Sequence, residues 1–544
     1  MRSLLSFGCV IVCVVGCRSA PDTDVDDQRA VEGVEEISEP LSDLSEQCGL
    51  ASKILTLTLE SGDVAVITRT MTGTILINGF GCAGATISNV QRIAVTERAA
   101  GDQTVILDYG SGLFGLGTTT GPGVTVDLGN ASSGDSLKVI GTIGADSFVF
   151  GAAGLAINSD ASVDVTMAHV TELTISLDDG DDVFSAMGNV ATGAALGTAI
   201  VIYGGKGNDT LRGGAGNDTL NGGDGNDIFT NGDGVVDDGD DAYNGGGGAD
   251  TADYSLRAAA VAISNDDLPN DGVLGGSEID NIAADIHTLK GGLGNDTITG
   301  GDGVDILWGN AGSDTFDEGD HANGGDTFNG GAGLDTVSYA SRPVAVFVII
   351  DALANDGQLG ELDKVMVDVE NVIGGAGNDT ITGSTADNVL SGSDGDDTLD
   401  GGAGNDRFDE GDQANGHDTM IGGAGIDTVD YSGRSADLTV RMDGTPASGE
   451  AAGAEGDRIG AVTAGVDDVE NVIGGIGEDT ITGNSSDNQL EGGPDTDMAT
   501  DTIDGGGGDD VLDGIGGDDD LDCGAGDADV NLDTSTSSAD SCEL

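Results

Sequence analysis

The chain has 544 residues, and its 97 glycines and only 3% aromatic residues exclude a large aromatic core of the usual globular kind. It carries 98 acidic and 18 basic residues, a formal net charge of -80, which disfavours nucleic acid, anionic membrane surfaces and other polyanions as partners. Two kinds of chain fit this acidity: a solvated disordered polymer, or a fold that cations complete by neutralising its carboxylates.

The first segment with a clear pattern is the apolar run from Leu4 to Gly16. At about thirteen residues it is too short to span a bilayer as a helix, and it predicts a secretory signal. The run ends in VVGC at residues 14–17, which resembles the lipobox of bacterial lipoproteins. This resemblance implies cleavage before Cys17 and acylation of its thiol, so residues 1–17 are predicted to be a lipoprotein signal peptide. An ordinary signal with a chance cysteine is the alternative.

Residues 18–47 are acidic, contain few apolar side chains and predict a disordered tether. For lipoproteins, Arg18 rather than aspartate after the cysteine permits an outer-membrane destination. We therefore expect an exported protein of the outer membrane, the cell surface or the extracellular space. A lipid on Cys17 would be its membrane contact.

Four cysteines remain beyond the signal: Cys48, Cys82, Cys523 and Cys542. An even number in an exported chain predicts disulfides, and the distribution favours pairing Cys48 with Cys82 and Cys523 with Cys542. Each bond would close one end of the fold, and residues 523–544 would form a C-terminal cap. Four free thiols are the alternative.

A nine-residue repeat begins at Gly204, where the sequence reads GGKGNDTLR, GGAGNDTLN, GGDGNDIFT. Each unit has the form GGxGxDxUx, where U is a large apolar residue. A nonapeptide that stays in register over several units is a strong signal of a repeat fold. The unit returns at residues 291–317, from 374, at 392–409 and from 474, and degraded copies run to 522.

These units resemble the RTX, or haemolysin-type, calcium-binding repeat family over residues 204–522. The resemblance implies an all-β fold in which GGxGxD forms a turn and xUx forms a short strand. Two nonads would complete one coil of a right-handed parallel β-roll. Several calcium ions are the implied cofactor and partner.

The chemistry of each repeat position supports this interpretation. Glycines allow positive φ and close backbone approach, so carbonyl oxygens can point at a common centre. Calcium takes about six to eight oxygens at about 2.3–2.6 Å, which two neighbouring turns can supply together. The candidate ligands are Asp209, Asp218, Asp227, Asp250, Asp296, Asp305, Asp314, Asp335, Asp379, Asp397, Asp406, Asp427, Asp479, Asp510 and Asp519.

A coil of two nonads places residues that share an ion eighteen positions apart. The pairs on this arithmetic are Asp209 with Asp227, Asp296 with Asp314, and Asp379 with Asp397. Asn388 would face Asp406, and the missing charge predicts a weaker site. Apolar residues two positions after the aspartates, such as Leu211 and Ile298, are predicted to form a thin aliphatic core.

A longer repeat of about ninety residues lies over the short one. The sequence from Phe316 recurs from Phe408, and a less similar copy begins at Phe229. Each copy is followed by an insertion rich in β-branched residues, which predicts strands or hairpins. Acidic loops in the two clear copies would either hold additional ions or be solvated surface. Their residues are Asp317, Glu318, Asp320 and Asp326, and Asp409, Glu410, Asp412 and Asp418.

Residues 48–203 lack the nonad but alternate apolar and small polar residues, which predicts short strands. A β-solenoid on which the roll stacks and a separate β-sandwich are the two candidate folds.

Catalytic signatures are absent from the sequence. None of the four histidines, His169, His287, His321 and His417, sits in HExxH, and no GxSxG occurs. We therefore expect no enzyme, but a calcium-binding surface lipoprotein with a structural or adhesive role toward cell-surface or matrix components. The alternative is an extracellular hydrolase with an unrecognised active site in residues 48–203.

Overall fold

A computed structural model describes residues 48–98, 101–112, 123–129, 134–157, 162–232, 238–450, 456–460, 468–494, 500–516, 519–526, 528–532 and 538–539. The predicted signal with Cys17, the tether at 18–47, and Cys542 lie outside these residues. Every regular element among the described residues is a β-strand, and they contain no helix able to cross a membrane. The chain divides into two compact units, residues 1–206 and 207–544.

The N-terminal unit contains two sheets. In spatial order, one sheet consists of Phe80–Thr86, Thr74–Ile77, Val64–Arg69, Thr104–Asp108, Ser136–Ile140, Glu172–Asp179 and Ile200–Lys206. The other consists of Cys48–Ala51, Ile54–Leu59, Arg92–Glu97, Val124–Asp127, Val165–Ala168, Gly154–Ile157, Ser147–Gly151 and Val183–Ser185.

Most neighbouring strands of this unit pair in parallel, each one coil further along the chain. Val64 pairs with Thr104, Thr104 with Ser136, and Ser136 with Glu172. Apolar side chains alternate into the core, as in Ile54–Leu59, because successive strand residues point to opposite faces. The solenoid prediction is therefore confirmed, since the strands of a β-sandwich pair antiparallel.

The predicted disulfide between Cys48 and Cys82 is present, with a Cα–Cα distance of 6.2 Å. It ties the first strand, Cys48–Ala51, to Phe80–Thr86. Cys523 is buried and disulfide-bonded. Its predicted partner, Cys542, lies outside the described residues.

The C-terminal unit is built from short parallel strands in five sheets. The first contains Thr210–Arg212, Ile228–Thr230, Thr251–Asp253, Thr288–Lys290, Ile306–Ala311, Thr327–Ala332 and Lys364–Val365. The second contains Thr219–Asp224, Ala242–Gly247, Asp280–Ile282 and Pro269–Val273. The third contains Val261–Ser264, Thr297–Thr299, Thr315–Asp317, Thr336–Ser338, Asn371–Ile373, Val389–Ser391, Arg407–Asp409, Thr428–Asp430, Asn471–Ile473, Gln489–Glu491, Val511–Asp513 and Val530–Asn531.

The two remaining sheets each start at a hairpin. The fourth contains Gly357–Gln358, Val346–Ile349, Thr380–Thr382, Thr398–Ala403, Thr419–Ala424 and Arg458–Ile459. The fifth contains Gly449–Glu450, Leu438–Arg441, Thr480–Thr482, Thr502–Asp504, Asp520–Asp522 and Ser538–Ala539. The insertions, predicted to be strands or hairpins, are thus hairpins. Each hairpin supplies the first strand on which a new block of coils stacks.

Two nonads do form one coil in the regular blocks. Thr297 pairs in parallel with Thr315, and Ile298 with Phe316. The predicted inward residues Leu211 and Ile298 are fully buried. The roll therefore has a one-residue-thick apolar core, and turns on either side of it carry the aspartates.

Candidate metal sites

A ladder of aspartates runs along the turns of the roll. The backbone N–H of Asp296 donates to Oδ1 of Asp314 at 2.8 Å, and the N–H of Asp314 donates to Oδ1 of Asp335 at 2.9 Å. The same bond joins Asp209 to Asp227, Asp218 to Asp241, Asp227 to Asp250, Asp305 to Asp326, Asp379 to Asp397, Asp397 to Asp418, Asp406 to Asp427, Asp479 to Asp501, Asp501 to Asp519, and Asp510 to Asp529. One carboxylate oxygen of each acceptor aspartate is thereby fixed by the neighbouring coil.

The second oxygen of many ladder aspartates is buried without a hydrogen bond. Among the described residues this holds for Oδ2 of Asp227, Asp250, Asp314, Asp335, Asp397, Asp406, Asp427 and Asp510. A buried acceptor that lacks a donor costs about 1–3 kcal/mol, and more when it is charged. The same unpaired oxygen at eight equivalent positions fits a cation as its partner.

The first glycine of each nonad leaves space beside that oxygen. A Cβ added to Gly309 would touch Oδ2 of Asp314 and lie 2.6 Å from the carbonyl oxygen of Gly330. At Gly222 a Cβ would likewise touch Oδ2 of Asp227. Carboxylate and carbonyl oxygens from adjacent coils therefore border a common space. These are the hard oxygen ligands that calcium prefers.

The sequence matches the family described as RTX calcium-binding nonapeptide repeat (4 copies) over residues 201–235, 288–316, 373–408, 414–430, 465–499 and 499–528. The C-terminal part of the chain therefore contains RTX calcium-binding repeats. A search of curated proteins found no match. The RTX repeats make this a calcium-binding protein, and the orphaned oxygens show that its turns fit the ion.

The three aspartates that follow an inserted hairpin accept backbone hydrogen bonds at both carboxylate oxygens. Oδ1 of Asp296 accepts the N–H of Val261 from the preceding hairpin at 2.8 Å, and Oδ2 accepts the N–H of Gly292. Asp379 and Asp479 are bonded in the same way. Backbone donors therefore bond both oxygens of these three predicted ligands, and their calcium ligation stays a prediction.

The predicted eighteen-residue pairs do meet across the coils. The N–H to Oδ1 distance is 2.6 Å for Asp379 and Asp397, and it is 2.8 Å for Asn388 and Asp406. Asn388 replaces the missing charge with neutral hydrogen bonds, since its Nδ2 donates to the Glu370 carbonyl oxygen at 2.7 Å. A weaker site at Asn388 stays a prediction.

Sequence reasoning missed the ladder residues Asp241 and Asp501, and it named Asp326 and Asp418 only as residues of the acidic loops. Asp241, Asp326, Asp418 and Asp501 occupy ladder positions, yet none follows a GGxG turn. The coils that contain these residues are longer than two nonads. A search for aspartates eighteen positions apart therefore does not find them. A usable signal was present: each starts a DxUxGG sequence, such as DTFNGG from Asp326.

Burial perturbs the titration of the ladder. It raises the pKa of Asp397 to about 8, with the charge of Asp418 adding to the effect. Burial likewise raises the pKa of Asp227, Asp314, Asp335, Asp427 and Asp510 to about 6. The metal-free roll thus favours protonated aspartates, because low-dielectric surroundings disfavour the charged form.

The acidic loops of the longer repeat prove to be of two kinds. Glu318, Asp326, Glu410 and Asp418 are buried, whereas the side chain of Asp320 is 80% exposed. The solvated-surface interpretation therefore holds for Asp320, and ion binding by the buried residues stays a prediction.

Proposed function

We propose that this protein is an exported, calcium-dependent structural or adhesive component of the cell surface. Its RTX roll would complete its folding only where calcium is abundant. The observation that carries this proposal is the buried Oδ2 atom without a donor, repeated at eight ladder positions.

Charge explains why the ion would act as a folding switch. With a net charge of -80, the calcium-free chain repels itself, and its many glycines make ordering costly in entropy. Metal that binds the coiled form and not the unfolded chain adds its binding free energy to folding. Low calcium inside the cell would keep the repeats expanded, and calcium outside would order them.

Attachment to the surface is proposed from the sequence. The apolar run and the cysteine at 17 support export and lipidation of Cys17. Substituting Cys17→Ser in the full chain is expected to move the protein from the membrane fraction to the soluble exported fraction. The control is Cys13→Ser, in the same apolar run. Equal membrane retention in both variants would contradict a lipid on Cys17.

Adhesion is tested on cells that display the full chain. Calcium is expected to aggregate these cells, or to increase their binding to envelope and matrix material, and a chelator should reverse the effect. Cells that lack the protein provide the control. Identical behaviour of both cell types in calcium would contradict the adhesive role.

The rival function is hydrolysis by the N-terminal unit, and one contact there deserves a direct test. His169 Nδ1 lies 2.8 Å from Asp127 Oδ1, with both side chains about half exposed, and this hydrogen bond lowers the pKa of Asp127. A histidine held by a carboxylate is a common general base. We propose that the pair is structural. Turnover of polysaccharide, lipid or peptide substrates that is lost in His169→Ala would support the hydrolase instead.

A further inference from the structure

The three copies of the longer repeat begin at Phe229, Phe316 and Phe408, and we call them the first, second and third modules. Each module buries one arginine at the end of a DTxxYxxR sequence. Arg257, Arg342 and Arg434 are 4%, 0% and 0% exposed. In the second and third modules the guanidinium lies over the ring of the motif tyrosine, Tyr339 or Tyr431, at 5.9 and 5.8 Å from the ring centre. A buried charge must be paired, so the groups around these arginines are informative.

Four carboxylates surround the arginine of the second module. Arg342 Nη1 donates to Glu361 at 2.8 Å, and its Nη2 donates to Oε2 of Glu318 at 3.0 Å. Asp363 accepts the backbone N–H of Asp326 at 3.0 Å, and both residues are fully buried. One positive group therefore faces four acidic ones away from water. This imbalance is costly unless protons or a cation offset it.

The third module has a related arrangement, in which Asp418 takes the place of Glu361 in the carboxylate cluster. Asp457 accepts the backbone N–H of Asp418 at 3.0 Å. Arg434 donates to the backbone carbonyl of Glu410 at 2.8 Å, while the Glu410 carboxylate stays 3.7 Å from the guanidinium. The Glu410 carboxylate accepts a hydrogen bond from Asn415 Nδ2 at 3.3 Å, whereas Glu318 accepts one from its arginine.

The carboxylates of these two modules converge. In each module, one oxygen from each of three buried carboxylates lies within 4.8 Å of the others. Glu318 is 1% exposed, and its Oε1 has no hydrogen-bond partner among the described residues. A buried, charged acceptor without a donor, at the centre of converging carboxylates, is the environment of a cation.

The first module has an amide in the corresponding position. Asn231 stands where the second module has Glu318, two residues after the repeat phenylalanine. Its Nδ2 donates to Asp280 at 2.7 Å and to Glu278 at 3.1 Å. An amide thus supplies the hydrogens between the carboxylates, which a glutamate cannot do.

In the first module, one carboxylate lies directly beside the arginine. Asp238 stands where the second module has Asn323, and Asp238 pairs directly with Arg257. In the second module Arg342 meets only the amide oxygen of Asn323 there, at 3.2 Å. The first module therefore has an amide and a carboxylate at exchanged positions relative to the second module. No converging trio of carboxylates is found around Arg257 among the described residues.

We propose that the second and third modules each hold a calcium ion among three buried carboxylates, as a second class of site outside the glycine-rich turns. The ligands are Glu318, Glu361 and Asp363 in one module, and Glu410, Asp418 and Asp457 in the other. Glu361 also lines an open groove together with Val304 and Leu362, which gives the ion a route from solvent. This inference goes beyond the RTX turns, although Asp418 also belongs to the aspartate ladder.

The test is the calcium content of the full chain at saturation, measured by equilibrium dialysis and elemental analysis. The double variant Glu318→Gln with Glu410→Gln keeps the shape of both side chains and should lose about two ions, one from each module. The matched control is Asp320→Asn with Asp412→Asn, in the same loops but exposed, and it should lose none. Unchanged calcium in the glutamine variant would overturn the inference and assign the charge balance to protons.

A second readout keeps the test valid if the glutamine variant misfolds. Tyr339 donates to Asp363 at 3.0 Å and Tyr431 donates to Asp457 at 2.9 Å, so both phenols lie beside the proposed ions. Terbium bound in place of calcium should then lose tyrosine-sensitised emission in the variant Tyr339→Phe with Tyr431→Phe. Emission equal to wild type would overturn the inference. A wild-type chain that binds no calcium would instead overturn the proposed function.

Discussion

The backbone N–H of Asp314 donates to Oδ1 of Asp335 at 2.9 Å, although these residues are 21 positions apart and not eighteen. The coil between these residues is longer than two nonads, yet Asp335 still lies in register with Asp314 of the neighbouring coil. Register is kept by the strands, where Thr315 pairs with Thr336 and Phe316 with Val337. The roll therefore tolerates insertions in its turns as long as strand and aspartate stay aligned.

Replacing one ladder aspartate should remove calcium locally. Asp314→Asn keeps an oxygen for the N–H of Asp296 but puts an amide where the buried Oδ2 lies. We expect the loss of about one or two ions, with most of the roll intact, because solenoid contacts are between nearest neighbours. Calcium counting and far-ultraviolet circular dichroism check this. Asp302→Asn, at a side chain that is 90% exposed, is the control. Loss of all calcium in Asp314→Asn would contradict local coupling.

The first glycine of a nonad should not tolerate a methyl group. In Gly309→Ala the new Cβ would press on Oδ2 of Asp314 and the Gly330 carbonyl oxygen. We expect a loss of about 1–3 kcal/mol in the free energy of unfolding with calcium present, as for overpacked sites. Gly247→Ala is the matched control, because its Cβ would meet nothing closer than 3.7 Å and no positive φ is required there. Equal stability of the two variants in thermal unfolding would speak against the crowded space.

The pH dependence should have opposite signs with and without calcium. Folding raises the pKa of Asp397 to about 8 and that of Asp314 to about 6, above the value of about 3.9 in an unfolded chain. Without metal, this contribution to stability is full below about pH 4 and is lost as the pH rises through 6 to 8. With metal, protons compete for the same oxygens, so the calcium affinity should rise over that range.

This prediction is checked by two titrations of the full chain. Circular dichroism in chelator should show more β-structure on acidification, and calcium affinity should fall. Calcium binding that does not change between about pH 5 and 8 would contradict the raised pKa values.

Removing the N-terminal disulfide should destabilise without changing calcium binding. The bond between Cys48 and Cys82 spans a sequence separation of 34 residues, so its loss is expected to cost about 3–4 kcal/mol. The variant Cys48→Ser with Cys82→Ser is compared with wild type in denaturant, and calcium is counted in both. Fewer bound ions in the variant would be the contrary result.

Local pattern was sufficient to predict the regular blocks. The spacing of Asp209 and Asp227 follows from the nonad itself, and the buried Leu211 follows from the strand that the nonad contains. Both are short-range consequences of residue order, so no tertiary information was needed for them.

Long-range packing decided the rest. Glu318 and Asp320 are two residues apart in one acidic loop, yet one is buried and the other exposed. The difference arises because the hairpin that follows brings Glu361 to the same arginine, Arg342, that binds Glu318. Likewise, Oδ1 of Asp296 accepts the backbone N–H of Val261 because a hairpin packs on its turn. Neither contact leaves a trace in local spacing.

The most direct test of the account is to follow β-structure and bound calcium together while metal is removed exhaustively from the full chain. If calcium completes the ladder, the far-ultraviolet β signal of the roll should disappear as the ions leave and return cooperatively when calcium is restored. A chain that keeps its full β signal after all metal is gone would contradict the account, and so would a folded chain that contains no calcium.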